Sequence, residues 1–136
     1  MSSTDIEHAL FVRLTSTTSA PLVTTQIGKR LFLDVANSTA ARPYAVYQTI
    51  SDQHDPSYYG VENAGQARVQ FTVYSTDRFK VRTAAKAVRT NIHHFQGSMD
   101  GLTVNLCRCS YPVVRRDPTA NIFGARFDAL IEYNGG

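Results

Sequence analysis

Two stretches of the chain place apolar residues every three or four positions, which is the period of a helix with one buried side. The first opens with Thr4 and Glu7, a capping-box pair, and the second follows Asp77, a residue type favoured at helix N-caps. Their apolar stripes are Ile6, Leu10 and Leu14 in the first stretch, and Val81, Ala84, Ala85, Val88, Ile92 and Phe95 in the second. Two amphipathic helices are therefore predicted.

Several other stretches alternate apolar and polar residues, as a strand with one buried face does. The clearest is residues 66–75. Its two faces carry Ala67, Val69, Phe71 and Val73 on one side, and Arg68, Gln70, Thr72 and Tyr74 on the other. The other predicted strands are residues 29–35, 43–51, 102–116 and 121–133. Pro112 is expected to break the fourth of the five, because proline cannot donate to a sheet ladder.

The order of elements predicts an α+β fold, α-β-β-β-α-β-β, with a mostly antiparallel sheet of about five strands and two helices packed on one face. "PLVTTQIG" indicates a short helical turn closed by Gly28, and "QGSMDG" is interpreted as the end of the second helix. The polar residues 52–64 contain Pro56 and Gly60 and predict a flexible insert. One domain over residues 1–136 is expected at this length.

Charge is divided unevenly along the chain. The formal net charge is +3, yet residues 65–116 hold nine Lys and Arg against two Asp, a net +7, which leaves −4 for the rest. Arg78, Arg82, Lys86 and Arg89 recur at helical spacing and form a basic stripe on the second predicted helix. Three interpretations stay open: a solvated surface, a DNA-binding face making phosphate contacts, or a surface that meets the acidic portion of a neighbouring copy.

No motif indicates catalysis, a cofactor or a metal. Cys107 and Cys109 point to the same face of a strand, and two sulfurs are too few for a structural zinc site, so buried reduced thiols are expected. His93 and His94 are adjacent and are interpreted as surface residues near a helix end. No apolar run is long enough for a membrane helix. We therefore predict no catalytic, cofactor-binding or metal residues, and keep a small enzyme with a pocket between sheet and helices as the least favoured hypothesis.

The whole succession of elements resembles a known family. "RPYAVYQTIS", a variable insert, "ARVQFTVYSTDRFKVRTAAKAVRTNI" and "GLTVNLCR" follow one another as in the tail terminator (tail completion) proteins of long-tailed bacteriophages and related gene-transfer particles. The N-terminal helix and "PLVTTQIGKRLF" also fit, so the resemblance covers roughly residues 5–133. It rests on the order of elements, since the family has no catalytic signature.

This resemblance implies a structural virion protein that is assembled in the host cytoplasm. Such proteins form a ring, usually of six copies, which caps the head-proximal end of the tail tube, stops its polymerisation and binds head-completion proteins. DNA passes through the ring without sequence-specific binding. The implied partners are thus other copies, the tail-tube protein and the head-completion or stopper protein, with no membrane and no cofactor. A DNA-binding module using the basic helix is the alternative.

The residues expected to form the contact between subunits come from the basic stripe on the second helix, the insert at residues 52–64 and the polar face of residues 66–75. They are Arg78, Arg82, Lys86, Arg89, Tyr58, Tyr59, Arg68 and Tyr74. Tyrosine is enriched in interfaces, which favours this reading of Tyr58 and Tyr59. A local cover over the sheet is the alternative for these two residues.

Overall fold

A computed structural model describes residues 6–34, 43–54, 65–118 and 122–135, and the side chains of all of these except 52–54 and 134–135. It contains three helices, α1 (Ile6–Leu14), α2 (Pro21–Ile27) and α3 (Arg78–Ile92). The strands are β1 (Leu31–Leu33), β2 (Tyr44–His54), β3 (Gly65–Ser75), β4 (Gly97–Met99), β5 (Leu102–Cys109), β6 (Val113–Asp117) and β7 (Ile122–Gly135).

All seven strands belong to one sheet in the order β1-β2-β3-β7-β5-β4, with β6 also paired to β7. The long strands β3 and β7 form its centre, and their pairing runs from Gly65 opposite Tyr133 to Ser75 opposite Phe123. The pairing of β1 with β2 is parallel, whereas the other pairs are antiparallel. The sheet is therefore mixed.

The predicted α-β-β-β-α-β-β order, with two helices and about five strands in a mostly antiparallel sheet, is wrong. The extra helix is α2, which begins with Pro21 in the first helical turn and ends at Gly28. Proline suits this position because the first amides of a helix have no partner inside the helix. An alternating sequence does not reveal strand direction, so the parallel pairing of β1 was not visible in it.

The extra strand β4 pairs with β5 through a two-residue turn that the sequence analysis assigned to the end of a helix. Asp100 and Gly101 have φ angles of 48° and 90°. An Asp-Gly pair with positive φ at both positions matches the turn that best joins twisted antiparallel strands. "MDGL" is thus a hairpin signal.

β5 and β6 are two parts of one interrupted strand that runs along the same edge of β7. β5 ends with Cys109 opposite Ala129, and β6 begins with Val113 opposite Arg126. At the interruption, the Ser110 amide donates to the Asp128 carbonyl and the Ser110 Oγ accepts from the Asp128 amide, both at 2.9 Å. Pro112 follows and is buried, so the break predicted at this proline is confirmed.

The core lies between the helices and the inner face of the sheet, and three stacked rings cross its centre. Tyr47 of β2 stacks on Phe71 of β3 with centroids 5.7 Å apart, and Phe71 stacks on Phe127 of β7 at 5.2 Å. All three are buried, together with the apolar stripe of α3. The predicted inward set of residues 66–75 is confirmed, because Ala67, Val69, Phe71 and Val73 are fully buried.

A side chain caps the N-terminus of α3, and the residue after its C-terminus binds the sheet. Asp77 accepts from the amides of Phe79 and Lys80, which confirms the predicted N-cap. At the other end, His93 Nδ1 accepts from the Cys109 amide at 3.0 Å. Burial, then the charges of Arg89 and His94, lower the pKa of His93, which keeps the accepting nitrogen unprotonated. His93 thus lies at the end of α3, as predicted, but it is half-buried and its ring also accepts a hydrogen bond from the edge of β5.

Helix α1 is attached to the sheet through Glu7. The Tyr47 hydroxyl donates to the Glu7 carbonyl at 2.8 Å, and the Thr49 hydroxyl donates to the Glu7 carboxylate at 2.7 Å. Arg13 Nε donates to the Asn91 side chain of α3 at 2.9 Å. The helix thus touches both layers of the fold. Among the described residues, no helix is long and apolar enough to cross a membrane.

Replacing Phe71 by Ala should remove the middle ring of the stack and leave a cavity. We expect the free energy of unfolding to fall by about 3–5 kcal/mol, measured by urea denaturation. Phe79→Ala is the matched control, because Phe79 lies on α3 with 77% of its surface exposed, and it should cost no more than about 0.5 kcal/mol. Equal losses in the two variants would contradict this account of the core.

Candidate functional site

The basic stripe lies on one flank of α3, beside its buried face. Arg78, Arg82 and Lys86 are exposed and Arg89 is half-buried. Successive helical residues turn by about 100°, which brings these four positions together and places Lys80 on the opposite flank. We call the four residues, with Tyr111, the basic flank.

Tyr111 comes from the interruption between β5 and β6 and lies against α3. Its ring centroid is 5.6 Å from Lys86 Nζ and 5.5 Å from Arg89 Cζ, within the range of a cation–π contact. Arg89 is held in place because its guanidinium donates to the carbonyls of Ser110 and Cys109, at 3.0 and 3.3 Å. An aromatic side chain, 61% exposed, thus stands among the cations.

The cations also change the acidity of Tyr111. A hydrogen bond with Lys86, and then the charges of Lys86, Arg82 and Arg89, lower the pKa of the phenol. Sequence reasoning missed this residue, because Tyr111 is far from the stripe along the chain. The sequence signal for it is Ser-Tyr-Pro at residues 110–112. The proline interrupts the strand here, so the tyrosine side chain need not follow the strand's alternation and can lie against α3.

The outer face of the sheet is polar and is not covered by the helices. Arg68 of β3 donates to the Asp128 carboxylate of β7 at 2.7 Å. The Gln70 amide lies 3.1 Å from Gln48 Nε2, and with its oxygen turned toward Arg126 it accepts from Arg126 Nε at 3.1 Å and Nη1 at 3.2 Å. These side chains form a polar ladder across β2, β3 and β7.

A row of aromatic side chains crosses the outer face from β3 to β1. The Tyr74 and Tyr44 ring centroids are 5.4 Å apart, and those of Tyr44 and Phe32 are 6.1 Å apart. Gly124 lies opposite Tyr74, and a Cβ there would come within 3.4 Å of the ring. The small residue therefore leaves room for Tyr74 to lie over β7.

A groove of about 590 Å³ lies on this face, between the polar ladder and the β5–β6 interruption. Its lining includes Gln70, Tyr74, Tyr111, Arg115, Arg116 and Arg126. Tyr111 therefore borders both the groove and the basic flank. Of the predicted interface residues, the structure groups Arg78, Arg82, Lys86 and Arg89 on the flank. Arg68 and Tyr74 share the outer face but lie at different levels of β3, and Tyr58 and Tyr59 lie outside the described residues.

The two cysteines lie buried in β5. Cys107 and Cys109 are buried and make no disulfide, as predicted. The hydrogen bond between the two thiols, followed by burial, raises the pKa of Cys109, so this thiol stays protonated. In the described part of the chain, no group of three or more His, Cys, Asp or Glu side chains could hold a metal ion.

Residues 8–132 match a protein family described as Tail completion protein gp17. The chain belongs to this family. The resemblance found in the sequence is thereby confirmed, and the protein is a structural component of the tail of a phage-like virion. No curated protein sequence matches the chain.

One chain of a solved structure has a fold similar to that of the tail completion protein. It is described as the virion of a native gene transfer agent (GTA) particle, and one of its chains superposes with a TM-score of 0.67 at 13% sequence identity. The alignment covers 98% of this chain and 100% of that chain. At this identity the likeness concerns the fold alone, which the two chains share over nearly their whole length.

Replacing Lys86 by Met should raise the pKa of Tyr111 toward the ordinary value, because the substitution removes both the hydrogen bond and the charge that lower this pKa most. The titration can be followed by NMR with ring-labelled tyrosine, using Tyr111→Phe to assign the signal. Lys80→Met is the matched control on the opposite flank and should leave the titration unchanged. An unchanged Tyr111 titration in Lys86→Met would exclude the proposed contact.

Proposed function

We propose that the tail completion protein is a tail terminator. Copies of it form a ring, expected to be a hexamer, which caps the head-proximal end of the tail tube and stops its polymerisation. The ring then joins the tail to the head-completion or stopper protein, and DNA passes through its centre without sequence-specific contacts. The protein's role is binding and assembly, with no reaction catalysed.

The observation that carries this proposal is the uncovered outer face of the sheet in a chain of this family. The helices cover the inner face, whereas the outer face carries the Arg68–Asp128 pair, the Gln48–Gln70 pair and the ring of Tyr74. Polar groups with aromatic anchors are typical of protein interfaces. We infer that neighbouring copies or tail components bind here.

The charge distribution supports a ring over a two-fold dimer. A ring needs a heterologous contact, in which one surface of each copy meets a different surface of the next. The basic flank lies within the +7 portion of the chain, and the remainder carries −4. Unlike charges on separate surfaces favour this head-to-tail arrangement, whereas a two-fold contact through the flank would bring like charges together.

The proposed ring interface retains the residues expected from the sequence. Arg78, Arg82, Lys86 and Arg89 contribute the basic flank, and Arg68 and Tyr74 the outer face. Tyr58 and Tyr59 are proposed as interface residues from the sequence alone. The fold likeness to a chain of a gene transfer agent virion supports a role in a particle, since it extends over both chains.

Removing the protein from virion assembly should give tails of uncontrolled length that do not join heads, as seen by electron microscopy. Added to purified tail-tube protein during polymerisation, it should shorten the tubes in proportion to its concentration and appear as a ring at one tube end. Denatured protein at equal concentration is the control. Tails of normal length without the protein would contradict the proposal, as would tube growth unaffected by it.

DNA binding through α3 is the second candidate, and the Tyr111 ring beside Lys86 and Arg89 is the observation that favours it. If it holds, duplex affinity measured by fluorescence anisotropy should fall linearly with the logarithm of salt concentration. Lys86→Ala should weaken binding, whereas Lys80→Ala should have little effect on the affinity at any salt concentration. Equal effects of the two substitutions, or no measurable binding, would remove this candidate.

A further inference from the structure

The C-terminal end of α3 is hydrogen-bonded to the edge of β5 through two consecutive histidines. The His93 ring accepts from the Cys109 amide at 3.0 Å, and the His94 amide donates to the Cys107 carbonyl at 2.7 Å. Cys107 and Cys109 are two residues apart in the strand, so their backbone groups point to the same edge. Because β7 occupies the opposite edge, the end of the helix binds the edge of β5 that β7 leaves open.

The two imidazole rings lie against each other. Their centroids are 3.8 Å apart and their planes are inclined by 29°, with His93 half-buried and His94 exposed. Arg89 lies one helical turn earlier, and its carbonyl accepts from the His93 amide at 2.7 Å. Among the described residues, no carboxylate forms an ion pair with either ring. A proton on either ring would therefore place a positive charge beside Arg89 and the second imidazole, with no ion-paired carboxylate to offset it.

The hydrogen bond from Cys109 requires a neutral His93 ring. A neutral imidazole has one accepting nitrogen, whereas the protonated ring is a donor at both nitrogens. With a proton on Nδ1, two N–H groups would face each other across this contact of 3.0 Å. The ionisable groups around the ring are Arg89 and His94 on the helix side and the buried thiols of Cys107 and Cys109 on β5. Burial, followed by the charges of Arg89 and His94, lowers the pKa of His93, so the ring is neutral at neutral pH.

The same short stretch of backbone carries Tyr111. His93 binds the Cys109 amide. Arg89 binds the carbonyls of Cys109 and Ser110, and the next residue is Tyr111, whose ring contacts cations of the basic flank at 5.5 and 5.6 Å. Loss of the His93 hydrogen bond would remove one of the attachments between α3 and this stretch, so it should loosen the position of Tyr111 as well.

We propose that His93 is an acid-sensitive switch, which holds the β5–β6 interruption against α3 when it is neutral and releases the interruption when it is protonated. The switch belongs to a single copy and does not rest on the proposed ring. It acts on a surface that the ring would use, because Tyr111 is part of the basic flank. Acidification should therefore alter this surface while the centre of the sheet stays folded.

The direction of the pH effect follows from the pKa of His93 in the two forms. In the closed form, burial and the neighbouring charges hold this pKa below the ordinary value of 6.5, whereas a released and solvated ring titrates near the ordinary value. The released form therefore binds a proton more readily, and acid favours it. The contact keeps its full stabilising effect above pH 6.5. As the pH falls from this value toward the lower pKa of the closed form, each pH unit should raise the released fraction by up to about ten-fold.

Hydrogen exchange of the Cys109 amide tests the switch in the full chain. The protection factor, corrected for the intrinsic pH dependence of amide exchange, is measured by NMR between about pH 7.5 and 5. It should fall by up to about ten-fold for each pH unit within the window below the ordinary pKa of histidine. The Val69 amide of the central strand β3 is the control and should stay protected. Constant protection of Cys109 would overturn the inference, as would an equal loss at Val69.

The ring signals of Tyr111 give a second measurement in the same samples. They should shift with the same midpoint as the imidazole signal of His93, because the two residues are attached through the same stretch of backbone. Tyr111 signals that do not respond to protonation of His93 would contradict release of the interruption.

Substitutions separate protonation of His93 from a purely structural role. His93→Asn places an acceptor oxygen close to the position of Nδ1 and has no group that titrates in this range, so the protection of Cys109 should become independent of pH. His94→Asn removes the neighbouring ionisable ring, which should raise the pKa of His93 and move release to higher pH. His8→Asn on α1 is the matched control and should leave the acid response unchanged.

Two results with these variants would overturn the inference. The first is an acid response at Cys109 that persists in His93→Asn, because another group would then be titrating. The second is an unmoved midpoint in His94→Asn. If His93→Asn does not fold, the wild-type chain and His94→Asn still decide the matter, since both keep the His93 ring.

Discussion

The stack of Tyr47, Phe71 and Phe127 is the interaction on which the rest of the structure depends. These rings lie on one face of three neighbouring strands, and a shift of one residue in either pairing would turn a whole strand over. Burial of the rings therefore fixes the register of the sheet. It also fixes which residues point outward, so Arg68, Gln70 and Tyr74 reach the outer face because their neighbours fill the core.

The interruption between β5 and β6 has a comparable effect at the edge of the sheet. A continuous strand would alternate its side chains evenly along β7, whereas Ser110 replaces part of the ladder with its own side chain. The Tyr111 side chain therefore lies against α3. Arg89 of α3 donates hydrogen bonds to two backbone carbonyls at the same interruption. This local irregularity therefore places Tyr111 between the basic flank of α3 and the outer groove.

The sequence predicted what depends on local pattern. The burial of Val69 and Phe71, the cap at Asp77 and the break at Pro112 each follow from residues close in the chain. The direction of β1 and the position of Tyr111 beside Lys86 depend on which segments meet in space, and one sequence does not contain that information. β4 is different, because Asp100-Gly101 is a local signal that was assigned to a helix end. The stripe on α3 was visible, but the aromatic residue beside it was not.

An uneven distribution of charge over the chain favours head-to-tail contacts between copies. The exposed cations of the basic flank on α3 repel one another in an isolated copy, and the ion pairs found among the described residues do not include them. In the proposed ring, contact between the basic flank of one copy and an acidic surface of the next would relieve this repulsion, and it would be relieved in every copy only when the ring closes. An open assembly would leave one basic flank and one acidic surface without their partners. The same electrostatics that hold neighbours together would therefore favour closure over continued growth, the property that a component which ends a polymer needs.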